Sequence, residues 1–163
     1  MNTNGNTGQA CLLLGSNIAP ERNLPRAMEL LRRYVEVEGA SRVWESPAVG
    51  SPGPNFLNAA VLARTYLAPD ELKRLVLSAI EQDLGRVRTA DKNSPRPIDI
   101  DIVAWNGQVT DPDVWRYAHA AVPVAEMLPN NFHSEQGETL AQVATRLRQS
   151  TPIHLVGEIP GPF

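Results

Sequence analysis

The sequence has a single cysteine, Cys11, which excludes an internal disulfide and a cysteine metal cage. It has no apolar run near the roughly 20 residues that a membrane span needs. The stretch Ala10 to Leu14 is too short for the core of a signal peptide, and the residues before it are polar, so a cytoplasmic location and no membrane partner are expected. A strong charge of either sign is also lacking. The formal net charge is only -3, which gives no support for a nucleic-acid partner. His119, His133 and His154 are scattered and form no metal-ligand spacing. No Walker-type loop and no protein-kinase signature set is present, and no Ser/His/Asp or Cys/His set is apparent. A nucleotide would have to be gripped by side-chain cations and a metal rather than by a phosphate-cradling loop.

What is present is an ordinary globular composition, 42% apolar and 20% charged over 163 residues. That is enough for one domain with its own core, expected to span 1–163. Met1 to Gly8, rich in Asn, Thr and Gly, reads as a loose tail. Strands are expected at 10–14, 40–44, 56–66 and 98–105, with a short one at 153–156. Helical spacing predicts helices over 24–37, from Pro69 to Gly85, and over 138–149. The segment 85–93 reads as strand followed by polar loop. Asn106-Gly107 is a two-residue hairpin signal, so it demands an antiparallel pair. These elements predict an α+β sandwich with a mixed or antiparallel sheet.

The richest stretch is Arg96-Pro97-Ile98-Asp99-Ile100-Asp101-Ile102-Val103-Ala104. Strand side chains alternate, so Asp99 and Asp101 share a face, roughly 7 Å apart along the backbone. Two like charges on an apolar strand are costly unless a cation compensates them. Mg2+ suits that task, because it takes a few carboxylates together with phosphate oxygens. The other reading is a pair of exposed or arginine-paired aspartates. Gly85-Arg86-Val87-Arg88 and Pro95-Arg96 lie just upstream. Their guanidinium groups suit phosphate, or are solvated surface charges. Phe56 and Asn58 share a face of the third strand. They are either a half-buried strand with one polar residue, or a ring that stacks on a flat heterocycle beside an amide that bonds its edge. Gly15-Ser16-Asn17 is ordinary turn chemistry after the first strand. Glu81, late on the second helix, is a surface charge or a neighbour of the arginines.

Taken together, Gly15-Ser16-Asn17, Phe56-Leu57-Asn58-Ala59-Ala60, Glu81, Gly85-Arg86-Val87-Arg88 and Pro95-Arg96-Pro97-Ile98-Asp99-Ile100-Asp101 resemble, in order and spacing, the 6-hydroxymethyl-7,8-dihydropterin pyrophosphokinase family of folate biosynthesis. The resemblance covers Leu12 to Thr110. It implies a ferredoxin-like three-layer α/β/α sandwich with a mainly antiparallel sheet. It also implies transfer of pyrophosphate from ATP to the hydroxymethyl group of a dihydropterin, leaving AMP, in a monomer with small-molecule substrates only. By the matching, Asp99 and Asp101 hold two Mg2+ ions, and Arg86 and Arg96 join them as catalytic groups. ATP is met by Arg86, Arg88, Arg96, Ile102, His119 and Glu81. The pterin is met by Ser46, Ala48, Val49, Phe56 and Asn58, and the loop from Thr89 to Ser94 closes over the site. The chain departs from the family in three places. It runs directly from His119 to Pro123, without a stretch that supplies an arginine near the phosphates and a second aromatic for the pterin. Asn93 stands where an aromatic is common, and Val114 stands where an arginine can occur. These departures leave open a paralogue that binds nucleotide or pterin with little turnover, or that acts on another heterocyclic alcohol. Phe132 is a candidate to replace the missing ring.

Overall fold

The computed structural model describes residues 5–50 and 52–159. Its elements, in chain order, are β1 (Gly8–Ser16), α1 (Pro20–Leu31), β2 (Glu36–Ala40), β3 (Arg42–Ser46) and β4 (Phe56–Thr65). A continuous helical segment follows, made of α2 (Pro69–Glu71), a π-helical stretch (Leu72–Leu77) and α3 (Ser78–Asp83). After it come β5 (Asp99–Trp105), β6 (Gln108–Val109), a 3-10 turn (Pro112–Trp115), α4 (Ala118–Met127), β7 (Phe132–His133), β8 (Glu138–Thr139), α5 (Leu140–Ser150) and β9 (His154–Glu158).

The main sheet runs β6-β5-β1-β4-β3-β9, with β2 also on β4, and every pairing is antiparallel. The order β5-β1-β4-β3, with one helix after β1 and one after β4, is the ferredoxin-like arrangement. The sheet has two apolar faces, because its central strands are buried on both sides. On one face Leu12, Leu14, Val61 and Ile100 pack with Leu24 and Met28 of α1 and with Leu77 and Ile80 of the π-helical stretch and α3. On the other face Cys11, Ala60 and Val103 pack with Val124 of α4 and Val143 of α5. The result is the three-layer α/β/α sandwich. Among the described residues no helix is long and apolar enough to cross a membrane.

Several local expectations change. The first helix starts at Pro20, where a proline fits the first helical position, and ends at Leu31. Val35, which extends its spacing in the sequence, and Val37, its expected end, are β-branched, and Val37 belongs to β2. Pro25 therefore sits inside α1 rather than in its first turn. Gly8 is buried at the start of β1 rather than in a tail, while Met1 to Asn4 lie outside the described residues. The segment 85–93 carries no strand; it is turn and irregular backbone. Helix α4 has no counterpart among the predicted elements. Seven of its ten residues are buried, so it shows no polar face and hence no helical period. The Asn106-Gly107 hairpin forms as expected, with φ of 49° and 80° at the two residues.

Candidate functional site

The site lies where β1, β4 and β5 end together. Gly15 pairs with Asn58 on one side and with Asp99 on the other, so the turn after β1 stands between the amide and the carboxylate. Asn17 secures this corner. Its Oδ1 accepts from the Arg96 backbone N–H at 2.7 Å, its own N–H donates to the Arg96 carbonyl at 3.2 Å, and its Nδ2 donates to the Pro54 carbonyl at 3.3 Å. One buried side chain thus ties the approach to β5 and the β3–β4 loop to the end of β1. The sequence offers Gly15-Ser16-Asn17 only as turn chemistry, because partners 37 and 79 residues away leave no local trace.

Asp99 and Asp101 project from the same face of β5, as their spacing predicts, but their surroundings differ. Asp99 accepts from Arg86 at 2.7 Å and from Arg96 at 3.3 Å. Asp101, whose side chain is 47% exposed, pairs with Lys73 at 3.3 Å. Partial desolvation on the strand, and after it the Asp99 charge, push the Asp101 carboxyl up, against the opposing pull of Lys73. Arg86 is held on both sides. Burial alone would lower its pKa, but Asp99 and Glu81 outweigh that and raise it. Arg96 donates to the Ser94 and Lys92 carbonyls as well as to Asp99, so the loop before β5 folds around its guanidinium. Arg88 is mostly exposed and approaches Glu81 at 3.6 Å.

Glu81 is only 2% exposed and is the anchor of the cluster. Its carboxylate receives Arg86, Lys73 at 3.1 Å and Arg88. With three cations on a buried carboxylate, Glu81 holds the cations that line the cleft, and it lines a smaller adjoining pocket with Ser78, Gln82, Arg86 and Arg88. Lys73 is the residue that the sequence reading misses. Nothing on the second helix marks it out, because Lys on an amphipathic helix reads as solvated surface.

Two clefts meet at this cluster. One is lined by Ser46, Pro47, Val49, Phe56, Asn58 and His119, with Gly15 at its floor; the other by Lys73, Arg86, Arg88, Thr89 and Ser94. Arg96, Asp99 and Asp101 line both. In the first cleft the Asn58 amide nitrogen is committed, donating to Ser46 Oγ at 2.8 Å and to the Trp44 carbonyl at 3.1 Å. Its Oδ1 faces Gly15, where a β-carbon would come within 3.4 Å of that oxygen and 3.6 Å of the Phe56 ring. Glycine therefore keeps the cleft open at this point. Ala48 does not line it, and its neighbour Pro47 does. Ile102 packs against the core cluster below β5 rather than on either cleft.

Helix α4 begins at Ala118, directly after the 3-10 turn, and no further segment intervenes. His119 therefore lines the first cleft, with the Tyr117 ring stacked on it at 5.4 Å. Burial lowers the His119 pKa, partly opposed by Asp113, Asp111 and Asp99. Phe132 does not replace the missing ring, because it lies at a separate cleft beside Gly107 and Met127. Val114 is fully buried in the second core cluster and takes no part in the site. Asn93 reaches the β3–β4 loop, where a β-carbon on Gly50 would come within 2.6 Å of its amide.

The donor set suits a hard divalent cation. Two carboxylates share one face, and one of them resists ionisation beside the other. Among the described residues no third carboxylate, histidine or cysteine joins them. An ion held here would take its remaining oxygens from a ligand or water, which is the habit of Mg2+.

Comparison with known proteins agrees with this geometry. The model of the 7,8-dihydro-6-hydroxymethylpterin-pyrophosphokinase family matches residues 11–129. The chain is 37% identical, over 87% of its own length and 95% of the relative's, to 2-amino-4-hydroxy-6-hydroxymethyldihydropteridine pyrophosphokinase of Methylorubrum extorquens. It is 33% identical to the enzyme of that name from Synechocystis sp., over 80% of this chain and 71% of that one. Among solved structures, Plasmodium falciparum HPPK-DHPS, crystallised with pterin and p-hydroxybenzoate, superposes with a TM-score of 0.67 over 89% of this chain at 13% identity. The chain spans under half of that structure's chain, 44%. The matched residues include both ends of the carboxylate and arginine cluster, and the chain belongs to the 7,8-dihydro-6-hydroxymethylpterin-pyrophosphokinase family.

Proposed function

We propose that the protein transfers the β,γ-pyrophosphoryl group of ATP to the hydroxymethyl oxygen of 6-hydroxymethyl-7,8-dihydropterin, releasing AMP, as a step of folate biosynthesis. The observation that carries this reading is the junction. A cleft with an aromatic ring and an amide opens onto a cleft lined by Lys73, Arg86, Arg88 and Lys92, and Arg96, Asp99 and Asp101 line both. A flat heterocyclic alcohol in the first and a polyphosphate in the second would bring attacking oxygen and phosphorus together over the two carboxylates.

Phe56 offers its face to the pterin, and Asn58 Oδ1 accepts from the N–H groups of its edge. Ser46 acts at one remove, by fixing the Asn58 amide, while Pro47 and Val49 close the side of the cleft. Arg86 and Arg96 grip the β- and γ-phosphates, and Arg88 lies at the rim. Asp99 and Asp101 would hold Mg2+, two ions in this reading. Bound there, the metal would neutralise phosphate charge and favour the deprotonated hydroxymethyl oxygen. The residues supply positioning and fixed charge, since phosphoryl transfer needs little covalent help from a protein. Arg86 is held rigidly by Glu81 and Asp99, so it meets developing charge without having to reorganise. The same reading has a cytoplasmic monomer with small-molecule substrates, in keeping with the balanced charge and single buried cysteine.

The test is incubation with ATP, Mg2+ and the dihydropterin, with nucleotide products resolved by chromatography. AMP formed in step with pterin consumption is the expected result. ADP would show a simple kinase. Binding without turnover would show a paralogue that keeps the site and not the activity, the outcome favoured by the direct passage from the 3-10 turn into α4.

A further inference from the structure

The helical segment after β4 departs from α geometry at one place, Leu72–Leu77, which is π-helical. Such stretches are rare and occur frequently at functional sites. Here Leu72, Val76 and Leu77 are buried in the core, and Lys73 reaches the strand that carries the carboxylates. Its Nζ donates to the Ile100 carbonyl at 2.6 Å, to Glu81 Oε1 at 3.1 Å and to Asp101 Oδ1 at 3.3 Å. An ammonium has three donors, and all three go to the site. The Ile100 carbonyl is within reach because β6 pairs only with Ala104 and Trp105, which leaves the outer edge of β5 open beside Asp101.

The two aspartates differ in how they are held. Asp99 has two arginines. For Asp101, the cation within ion-pair distance among the described residues is Lys73. Glu81 does not depend on Lys73 in the same way, because Arg86 and Arg88 also face it. Lys73 is one-third exposed on the wall of the phosphate cleft. A divalent cation that takes Asp101 competes with this ammonium, which is then left with Glu81, a carboxylate already shared with Arg86 and Arg88, and with any anion bound in that cleft.

We propose that Lys73 is a positioning residue that stands in for the divalent cation at Asp101 while the site is empty, and turns to the phosphate oxygens of the nucleotide when metal and nucleotide enter together. This rests on the pyrophosphokinase reading above. Lysine suits the exchange, since its charge is compact and its stem flexible, whereas an arginine fork locked on two carboxylates does not move. Metal alone then pushes the ammonium back onto Glu81, which two arginines already share. Metal with nucleotide does not, so the two bind with positive coupling. The same cation also supplies a positive charge to a cleft that lacks the arginine-bearing stretch after His119.

The experiment is calorimetric titration of wild type, Lys73→Met and Lys73→Arg, first with Mn2+ alone and then with α,β-methylene ATP and Mg2+. Lys73→Met is expected to bind Mn2+ alone several-fold more tightly than wild type, on the order of the modest worth of a partly exposed ion pair. It is expected to bind the Mg-nucleotide analogue on the order of tenfold more weakly, the size of a lost hydrogen bond to a charged group, with Lys73→Arg recovering part of the loss. A purely structural lysine would weaken both or neither, and either result overturns the proposal. If Lys73→Met does not fold, Lys73→Gln keeps a donor for the Ile100 carbonyl and carries the same comparison. If wild type itself fails to bind the Mg-nucleotide, the functional reading is wrong. The Mn2+ arm then still decides whether Lys73 and a metal compete for Asp101.

Discussion

The two clefts of the site are built on different principles. On the phosphate side the central charges brace one another: Glu81 holds Arg86, Lys73 and Arg88, and Asp99 holds Arg86 and Arg96. On the heterocycle side Phe56 and the buried amide of Asn58 line a cleft completed by His119, Asn93 and loop residues. The first side is assembled before any ligand arrives. The second is left for the ligand to complete. Fixed charges that must not reorganise during the reaction call for bracing, while an apolar stacking surface needs only shape and access.

The largest effect should come from removing the brace. Glu81→Gln leaves Arg86 with Asp99 alone in a buried setting, and breaking a buried pair on one side costs about 3–5 kcal/mol. The low end applies, since Arg86 keeps one carboxylate. Urea unfolding of metal-free protein should show it, whereas Phe56→Ala should leave the protein much closer to wild type. Next comes Arg96→Ala, which should cost on the order of 2–4 kcal/mol in kcat, with a smaller change in nucleotide affinity, because the guanidinium meets charge that grows in the transition state. Equal losses in the two would place Arg96 in simple binding. The smallest effect concerns His119. Burial lowers its folded pKa below the unfolded value of 6.5, so its neutral form adds stability at higher pH. That contribution is lost as pH falls below about 6.5 through the folded pKa. His119→Gln should flatten this part of the stability curve, and an NMR titration of the imidazole should show a midpoint below the ordinary one.

The carboxylate side was legible in the sequence because strand alternation puts Asp99 and Asp101 on one face, and because Arg86, Arg88 and Arg96 lie close by in the chain. Lys73 was not, since its π-helical setting and its reach to Ile100 depend on tertiary packing. Glu81 is placed by the sequence beside the arginines and, by resemblance, at the nucleotide, but its burial beneath three cations cannot be read from one residue. The same limit hid α4. Its Ala- and Val-rich sequence is buried on nearly all sides, so the periodicity that marks a half-exposed helix is absent. Asp99 also proves to be an ion-pair hub rather than an isolated repulsive charge. Asp99→Ala is thus expected to destabilise the metal-free protein, contrary to what two bare carboxylates on a strand suggest.

The division of labour between the two clefts is tested most directly by Phe56→Ala. The 6-hydroxymethyl-dihydropterin is titrated calorimetrically into wild type and variant with Mg2+ and α,β-methylene ATP present, and the nucleotide analogue is titrated separately into both. An aromatic contact is worth roughly 0.5–1.5 kcal/mol beyond its buried area, and no second aromatic ring from a longer segment shares the load. The account predicts at least a tenfold loss of pterin affinity and an unchanged affinity for the Mg-nucleotide. A variant that binds pterin as well as wild type, or that loses nucleotide affinity instead, would contradict it.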